Sequence, residues 1–156
     1  MDLGTYAEFP VFKGVTEKDL AEVLRLGVET GFGRGAVILK ESGKSSDLFI
    51  LLSGRVSVEM EASGASSEGR RDLLVRLRPG DVFGEMAFLD HSRRSAYVVA
   101  SDDITCLRLD GEGLERLMES NAVLGYRLMR NLARILASRL VDSNFRWRNE
   151  LAGPRI

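Results

Sequence analysis

The stretch FGEMAFLDHSRRSAYV, residues 83–98, interrupts an otherwise strand-like part of the sequence. Glu85 to Leu89 is long enough for one or two helical turns, and Gly84 permits the tight turn that must precede them. The first N–H groups of a short helix have no internal partner, so they favour an anion. Arg94 adds a guanidinium that can bind two phosphate oxygens, and the Glu85 carboxylate can accept from a sugar hydroxyl. The stretch therefore predicts a site for a ribose joined to a singly charged phosphate.

Short apolar runs on both sides of this stretch predict antiparallel β-structure. Turn formers such as Ser53-Gly54 and the segment 78–81 separate the runs. The runs are AVILK (36–40), DLFILL (47–52), RVSVEM (55–60), DLLVRL (72–77), AYVVA (96–100) and ITCLRL (104–109). Many short strands at close spacing favour a barrel or jelly roll over a βαβ fold. The polar, Gly/Ser-rich stretch 61–71 is predicted to be a mobile hairpin tip.

Helical periodicity appears towards both ends of the sequence. Thr16 is a predicted N-cap for a helix over Glu17–Leu26, and Asp110 and Asn121 are predicted N-caps for two later helices. In the last helix a leucine recurs at every fourth residue, so this apolar stripe is expected to pack against another surface. The stripe comprises Leu124, Leu128, Leu132, Leu136 and Leu140.

The stretch 83–98 resembles the phosphate-binding cassette of cyclic nucleotide-binding domains. That family's pattern is F-G-E-[LIM]-A-L, a short variable stretch, and then R-[AST]-A-x-V. The glycine spacing of GAVILKESG, ILLSGRVSV and LRPGDVFGE is similar to the family's as well. The resemblance covers the chain from about Phe9 to Ser143.

The resemblance implies a mainly β fold with flanking helices. The expected architecture is an eight-stranded antiparallel β-roll, of the double-stranded β-helix or jelly-roll type, with an N-terminal helix and C-terminal lid helices. It implies one domain over 1–156, with a helical segment at 1–27, the roll at 28–109 and the lid helices at 110–150. The expected ligand is cAMP or cGMP, bound inside the roll.

The same resemblance assigns roles to the cassette residues. Arg94 would bind the exocyclic phosphate oxygens together with the backbone N–H groups of Ala87 and Ser95, and Glu85 would accept from the ribose 2′-hydroxyl. Arg94, and not its neighbour Arg93, matches the family's arginine, because the small residue and the alanine that follow set the register. The cassette residues expected at the ligand are Phe83, Gly84, Glu85, Met86, Ala87, Arg94, Ser95 and Ala96.

By resemblance to bacterial members, Leu136, Arg139 and Leu140 of the last helix are expected to cover the purine. Arg139 is a candidate to stack on the base or to donate to it, and a core role for the leucines with a solvated arginine stays open. Ser95 stands where cGMP-selective relatives often have threonine, which favours cAMP. Binding is expected to pull the cassette and the last helix together, and that helix is expected to contact a second copy or an effector domain.

Other chemistry has weaker support in the sequence. Gly43-Lys44-Ser45 is similar to the end of a P-loop, but Ile38 stands where the first glycine is required. The glycines of GFGRGA (31–36) precede a strand and do not open a helix, so turns explain them better than a dinucleotide site. His91 is the sole imidazole, Cys106 is expected to be a buried inert thiol, and no GxSxG occurs. Neither an enzyme nor a metal site is expected.

Composition limits the partners further. The formal net charge is −1, which offers no basic field for nucleic acid or an anionic membrane. Without an apolar run near 20 residues, and with no signal segment at the start, the expectation is a soluble cytoplasmic domain. The stretch 144–156 is short for a recognition helix, so a sensor module without its effector is expected. The alternatives are a structural or dimerisation domain with a vestigial pocket, and the sensor fragment of a transcription regulator lacking its DNA-binding domain.

Overall fold

The structure, a computed structural model, describes residues 2–40, 43–62 and 69–151, and in these residues the β-strands lie between two groups of helices. The first group is α1 (Leu3–Ala7), a 3₁₀ turn (Pro10–Phe12) and α2 (Glu17–Leu24). The strands are β1 (Gly27–Phe32), β2 (Val37–Leu39), β3 (Leu48–Ser53), β4 (Val56–Glu61), β5 (Arg71–Leu77), β6 (Val82–Phe83), β7 (Tyr97–Ala100) and β8 (Ile104–Leu109). Helix α3 (Glu85–Asp90) separates β6 from β7, and α4 (Gly111–Ser120) and α5 (Ala122–Leu151) follow β8.

The strands form two four-stranded sheets with the orders β1-β8-β3-β6 and β2-β7-β4-β5. Every pair in both sheets is antiparallel. The prediction of a mainly β, antiparallel roll with flanking helices is therefore confirmed. The predicted hairpin tip lies for the most part outside the described residues, since 63–68 are not among them.

Two strands, β1 and β6, were not expected from the apolar runs. Strand β1 pairs with β8 from Gly27 opposite Leu109 to Phe32 opposite Ile104, although its own side chains are mostly exposed or half-buried. Gly31 therefore lies in a strand and not in a turn, and α2 ends at Leu24, before the expected Leu26. Backbone pairing with a buried neighbour stabilises β1, so its sequence lacks the apolar alternation that marks a strand.

Strand β3 separates two hydrophobic cores. Its residues from Leu48 to Leu52 are all buried, and successive side chains point to opposite faces. Leu48, Ile50 and Leu52 pack with the helices, whereas Phe49 and Leu51 pack with residues of the other sheet. Because both faces are covered, the run is apolar without alternation.

Helix α5 divides into a first half that packs in the helical core and a second half that is mostly exposed. Leu124, Leu128 and Leu132 are buried in the helical core, so the leucine stripe packs as predicted up to this point. Leu136 is half-buried, and Leu140 is 62% exposed. No helix in the described part of the chain, α5 included, has the length and apolar character needed to cross a membrane.

The side chain of Asp47 joins β8 and α4 just before β3 begins. Its carboxylate accepts from the backbone N–H of Gly111 at 3.1 Å and from Arg108 Nε at 2.7 Å. Burial alone would raise the pKa of Asp47, but the hydrogen bond from Gly111 and the charge of Arg108 outweigh it and hold this pKa below 3.8. The ionised carboxylate is therefore part of the folded structure.

We expect Asp47→Asn to lower the free energy of unfolding at neutral pH. In acid, we expect this free energy to depend less on pH in the variant than in the wild type. Since the pKa of Asp47 is lower in the folded than in the unfolded chain, the stability it adds is present above pH 3.8 and is lost as pH falls further. Urea unfolding between pH 7 and 3 measures this. If wild type and variant lose stability in parallel as pH falls, the Asp47 ion pair does not contribute.

Candidate functional site

The cassette lies at one end of the roll, where it forms one side of a pocket. The lining residues are Leu39, Val58, Leu74, Val75, Phe83, Gly84, Glu85, Met86, Ala87, Arg94, Ser95, Ala96, Val98 and Arg139. All eight predicted cassette residues line this pocket, as does Arg139 of α5. Leu136 and Leu140, the other two predicted lid residues, do not line it.

Arg94 is a buried cation held by neutral oxygens. Its side chain is 5% exposed, and its Nη1 donates to Gly84 O at 2.7 Å. Its Nη2 donates to Asp47 O at 2.9 Å and to Ser45 Oγ at 3.2 Å. Burial lowers the pKa of Arg94 against the opposing charges of Asp47 and Glu85, yet an arginine keeps its proton at neutral pH.

This guanidinium has unused binding capacity. Among the described residues, its buried Nε has no hydrogen-bond partner, and no carboxylate forms an ion pair with the guanidinium. A buried charge without an opposite charge is unfavourable. An anionic ligand in the adjacent pocket would therefore be stabilised.

The segment leading into β7 orients Arg94 inward. The backbone N–H of Arg94 donates to Gly43 O at 2.9 Å, and the neighbouring Arg93 is exposed. This is the register predicted from the small residue and alanine that follow Arg94. The loop before β3 thus lies against the cassette arginine.

Position 84 requires a glycine because the Arg94 guanidinium lies close to its backbone. It has φ 77°, in the left-handed region that favours glycine. A Cβ at this position would lie 2.6 Å from Arg94 Nη1 and 3.0 Å from Asp47 O. The first ladder bond of α3 runs from Phe88 N to Gly84 O at 3.4 Å, so the N–H groups of residues 85–87 precede the ladder.

Aromatic and aliphatic side chains form the rest of the pocket. Phe49 and Phe83 stack with their ring centroids 5.0 Å apart, and the Arg94 guanidinium lies 6.0 Å from the Phe49 centroid. Strands β2, β4, β5 and β7 supply the aliphatic wall, which comprises Leu39, Val58, Leu74, Val75 and Val98. These wall residues were not among the predicted site residues, although the inward positions of the strands were the signal that could have found them.

Glu85 and Arg139 connect the cassette to α5. Glu85 is 8% exposed, and its Oε1 accepts from Arg139 Nη1 at 3.0 Å. Arg139 Nη2 donates to Val82 O at 2.5 Å. The guanidinium therefore lines the pocket while it is held by the Glu85 carboxylate and by the backbone of Val82, just before the cassette.

The charges of the lining residues favour a monoanion. Arg94 and Arg139 contribute two positive charges and Glu85 one negative charge, so the lining carries a formal net charge of +1. The contacts from Ser45 and Asp47 to Arg94 were missed by the sequence analysis. Each is separated from Arg94 by more than forty residues, and no motif links them.

Neither the cysteine nor a cluster of metal ligands adds another site among the described residues. Cys106 is buried, and burial raises the pKa of its thiol to about 11, which keeps it neutral as expected. Within 2–40, 43–62 and 69–151, no three His, Cys, Asp or Glu side chains are grouped to hold a metal ion.

Several known proteins and solved structures are similar to this chain. Glutaminase 1 of Bradyrhizobium diazoefficiens is 36% identical to this chain over 138 residues, which cover 88% of this chain and 21% of that protein. A CRP-like cAMP-activated global transcriptional regulator of Mycobacterium tuberculosis is 26% identical, over 81% of this chain and 54% of the regulator. A solved cyclic nucleotide-binding domain from Methylobacillus flagellatus shares the fold with a TM-score of 0.83 at 21% identity, covering 99% of this chain and 84% of that chain.

The chain spans about a fifth of the glutaminase and about half of the transcriptional regulator. The similarity is therefore to one part of proteins that differ in their overall activity. The sequence profile described as the cyclic nucleotide-binding domain matches residues 29–121, which include every strand from β2 to β8 and the whole cassette. This chain belongs to the cyclic nucleotide-binding domain family, whose members of the CRP and protein kinase A type are regulatory.

Proposed function

We propose that this chain is a cAMP-responsive sensor module in which ligand binding at the cassette moves α5. The observation that carries the proposal is the buried Arg94 guanidinium, which has neutral oxygen partners and an unpaired Nε beside a pocket with net positive lining. A cyclic phosphodiester has the single negative charge that this arrangement lacks. The module is proposed to be non-catalytic and cytoplasmic, with neither nucleic acid nor membrane as a direct partner.

In the proposed complex, the exocyclic phosphate oxygens contact Arg94 and the backbone N–H groups of Ala87 and Ser95. The Glu85 carboxylate accepts from the ribose 2′-hydroxyl, and Gly84 allows the sugar to approach the backbone. The aliphatic wall from β2, β4, β5 and β7 then borders the sugar and the base. The charged phosphate and the 2′-hydroxyl of the ligand would thus each meet a complementary group of the cassette.

Two observations favour cAMP over cGMP. Serine stands at 95, where threonine is frequent in cGMP-selective relatives, and the mycobacterial relative is named as cAMP-activated. Apart from Ser95, the described lining holds no neutral polar side chain that would satisfy the exocyclic amino group of guanine. An unpaired amino group in the pocket would weaken cGMP binding.

Coupling to α5 follows from where this helix is held. Its first half is held by the helical core and by Asn131, whose side-chain amide donates to Val11 O and Lys13 O, both at 2.9 Å. Its second half contacts the roll through Arg139 and through a hydrogen bond from Arg146 to Leu74 O. A shift of the cassette would therefore move the second half more readily than the first.

A second copy or an effector domain is the proposed partner of α5. The stripe of leucines up to Leu132 is buried in this chain and is not available to a partner. A different set of apolar side chains is exposed along the helix, namely Val123, Tyr126, Met129, Leu140, Val141, Phe145 and Trp147. Large apolar side chains left exposed along one helix are candidates for an interface with a partner.

We expect cAMP to raise the melting temperature more than cGMP does. At 100 times its Kd, a ligand specific for the folded state adds about 2.7 kcal/mol of stability. For a chain of this size the increase corresponds to about 5–10 °C. A fluorimetric or calorimetric titration with both nucleotides measures the effect, and AMP is the control for adventitious nucleotide binding. No shift with either cyclic nucleotide would favour a structural domain with a vestigial pocket.

Arg94→Ala is expected to weaken cAMP binding by about 2–5 kcal/mol, since it removes the partner of a desolvated phosphate. Arg93→Ala removes the same side chain from the adjacent exposed position and is the matched control, with little loss expected. Isothermal titration calorimetry gives both affinities, and circular dichroism verifies that each variant is folded. Equal losses in the two variants would contradict the assigned register.

Saturating cAMP is expected to change the fluorescence of Trp147, the sole tryptophan, which lies on the second half of α5 and is 63% exposed. Movement of this half relative to β5 alters the solvent around the indole, so emission maximum and iodide quenching report it. Trp147→Phe is the control, because any emission that remains in this variant comes from tyrosine. Saturation without any change in Trp147 emission or quenching would argue against coupling to this part of the helix.

A further inference from the structure

We propose that Arg139 is a positioning residue that makes the pocket discriminate ribose from 2′-deoxyribose by orienting the carboxylate of Glu85. The inference rests on the proposed cyclic nucleotide function and assigns Arg139 a role different from contact with the base. It starts from the two hydrogen bonds that this guanidinium makes with the cassette.

The two bonds hold the plane of the guanidinium. Nη1 donates to Glu85 Oε1 at 3.0 Å, and Nη2 donates to Val82 O at 2.5 Å. Val82 is the first residue of β6, and Glu85 is the first residue of α3. Arg139 therefore spans the turn that contains Gly84, and its rigid fork orients the carboxylate relative to the cassette backbone.

The second oxygen of Glu85 remains available. Oε2 has no hydrogen-bond partner in the described part of the chain, and it is not one of the fully buried unpaired atoms. Glu85 lines the pocket, so an accessible oxygen of its carboxylate is available to accept from a sugar hydroxyl. With Oε1 engaged by Arg139, the carboxylate needs no rotation before it binds the hydroxyl.

Arg139 also compensates the negative charge of the Glu85 carboxylate. The Glu85 side chain is 10% exposed and that of Arg139 24% exposed, so solvent screens this pair only in part. Without Arg139, a shielded carboxylate would stand near the phosphate that Arg94 is proposed to bind, and the two negative charges would repel each other. The two roles separate experimentally, because repulsion affects every cyclic nucleotide while orientation affects only those with a 2′-hydroxyl.

The test is the ratio of the Kd for 2′-deoxy-cAMP to the Kd for cAMP, measured by calorimetry. In the wild type we expect a ratio of about 10 to 100, the value of a hydrogen bond to a charged group. Arg139→Gln should bring the ratio close to 1. Arg139→Lys keeps the positive charge but has a single nitrogen for two acceptors, so it should restore affinity for both ligands without restoring the ratio.

Further variants test whether the change in the ratio is specific to the contact between Arg139 and Glu85. Arg134→Gln removes an exposed arginine of the same helix and should leave the ratio unchanged. Glu85→Gln should lower the ratio as Arg139→Gln does, and the double variant should lower it no further, because both changes remove one interaction.

The inference is overturned if Arg139→Gln weakens both ligands equally with the ratio preserved, since that is the result of a general structural or electrostatic role. A ratio that rises would overturn it too, because Arg139 would then compete with the hydroxyl for Glu85. A wild type that binds both ligands with equal affinity refutes the inference and leaves the proposed function standing. A wild type that binds neither refutes the proposed function itself.

Discussion

The burial of one guanidinium is the constraint on which the site depends. Arg94 can leave water only because carbonyl oxygens of Gly84 and Asp47 accept from it, and these residues belong to different parts of the chain. Gly84 must have a left-handed backbone and no Cβ for the approach to occur. Asp47 is held in turn by Gly111 and Arg108. The loop before β3, strand β8, the start of α4 and the cassette therefore have to come together before Arg94 is satisfied.

A second arginine gives the pocket its charge balance and its connection to α5. Arg139 pairs with Glu85, so the lining holds one carboxylate and two guanidinium groups, whereas Arg94 and Glu85 alone would give no net charge. This contact is also where the second half of α5 meets the cassette, whereas the first half is held by Asn131 and by buried leucines. The ion pair that contributes to the charge of the lining is thus also a contact between the cassette and the second half of α5.

Strand β3 packs against the cassette on one face and against the helices on the other, because both of its faces are covered. Phe49 points between the sheets and stacks on Phe83, so the cassette begins on a close-packed aromatic pair. Its neighbours Leu48 and Ile50 point to the helices and join the core that holds α4 and the first half of α5. Strand β3 is therefore shared by the core that contains Phe83 of the cassette and the core that contains the first half of α5.

Local patterns in the sequence determined the short helix and the turns of the cassette and the starts of the flanking helices. The glycine, the short helix and the spacing to an inward-facing arginine are set by residues close together in the chain, so Arg94 was distinguishable from Arg93 and the helix caps at Thr16 and Asp110 were predictable. Which distant residues contact one another was decided by the tertiary structure alone. Ser45 and Asp47 reach Arg94, Arg139 reaches Glu85, β1 is stabilised by β8, and Leu140 lies outside the pocket, because each depends on where distant segments meet. A side chain's own sequence neighbourhood specifies its backbone, whereas its partner is specified by packing across the whole domain.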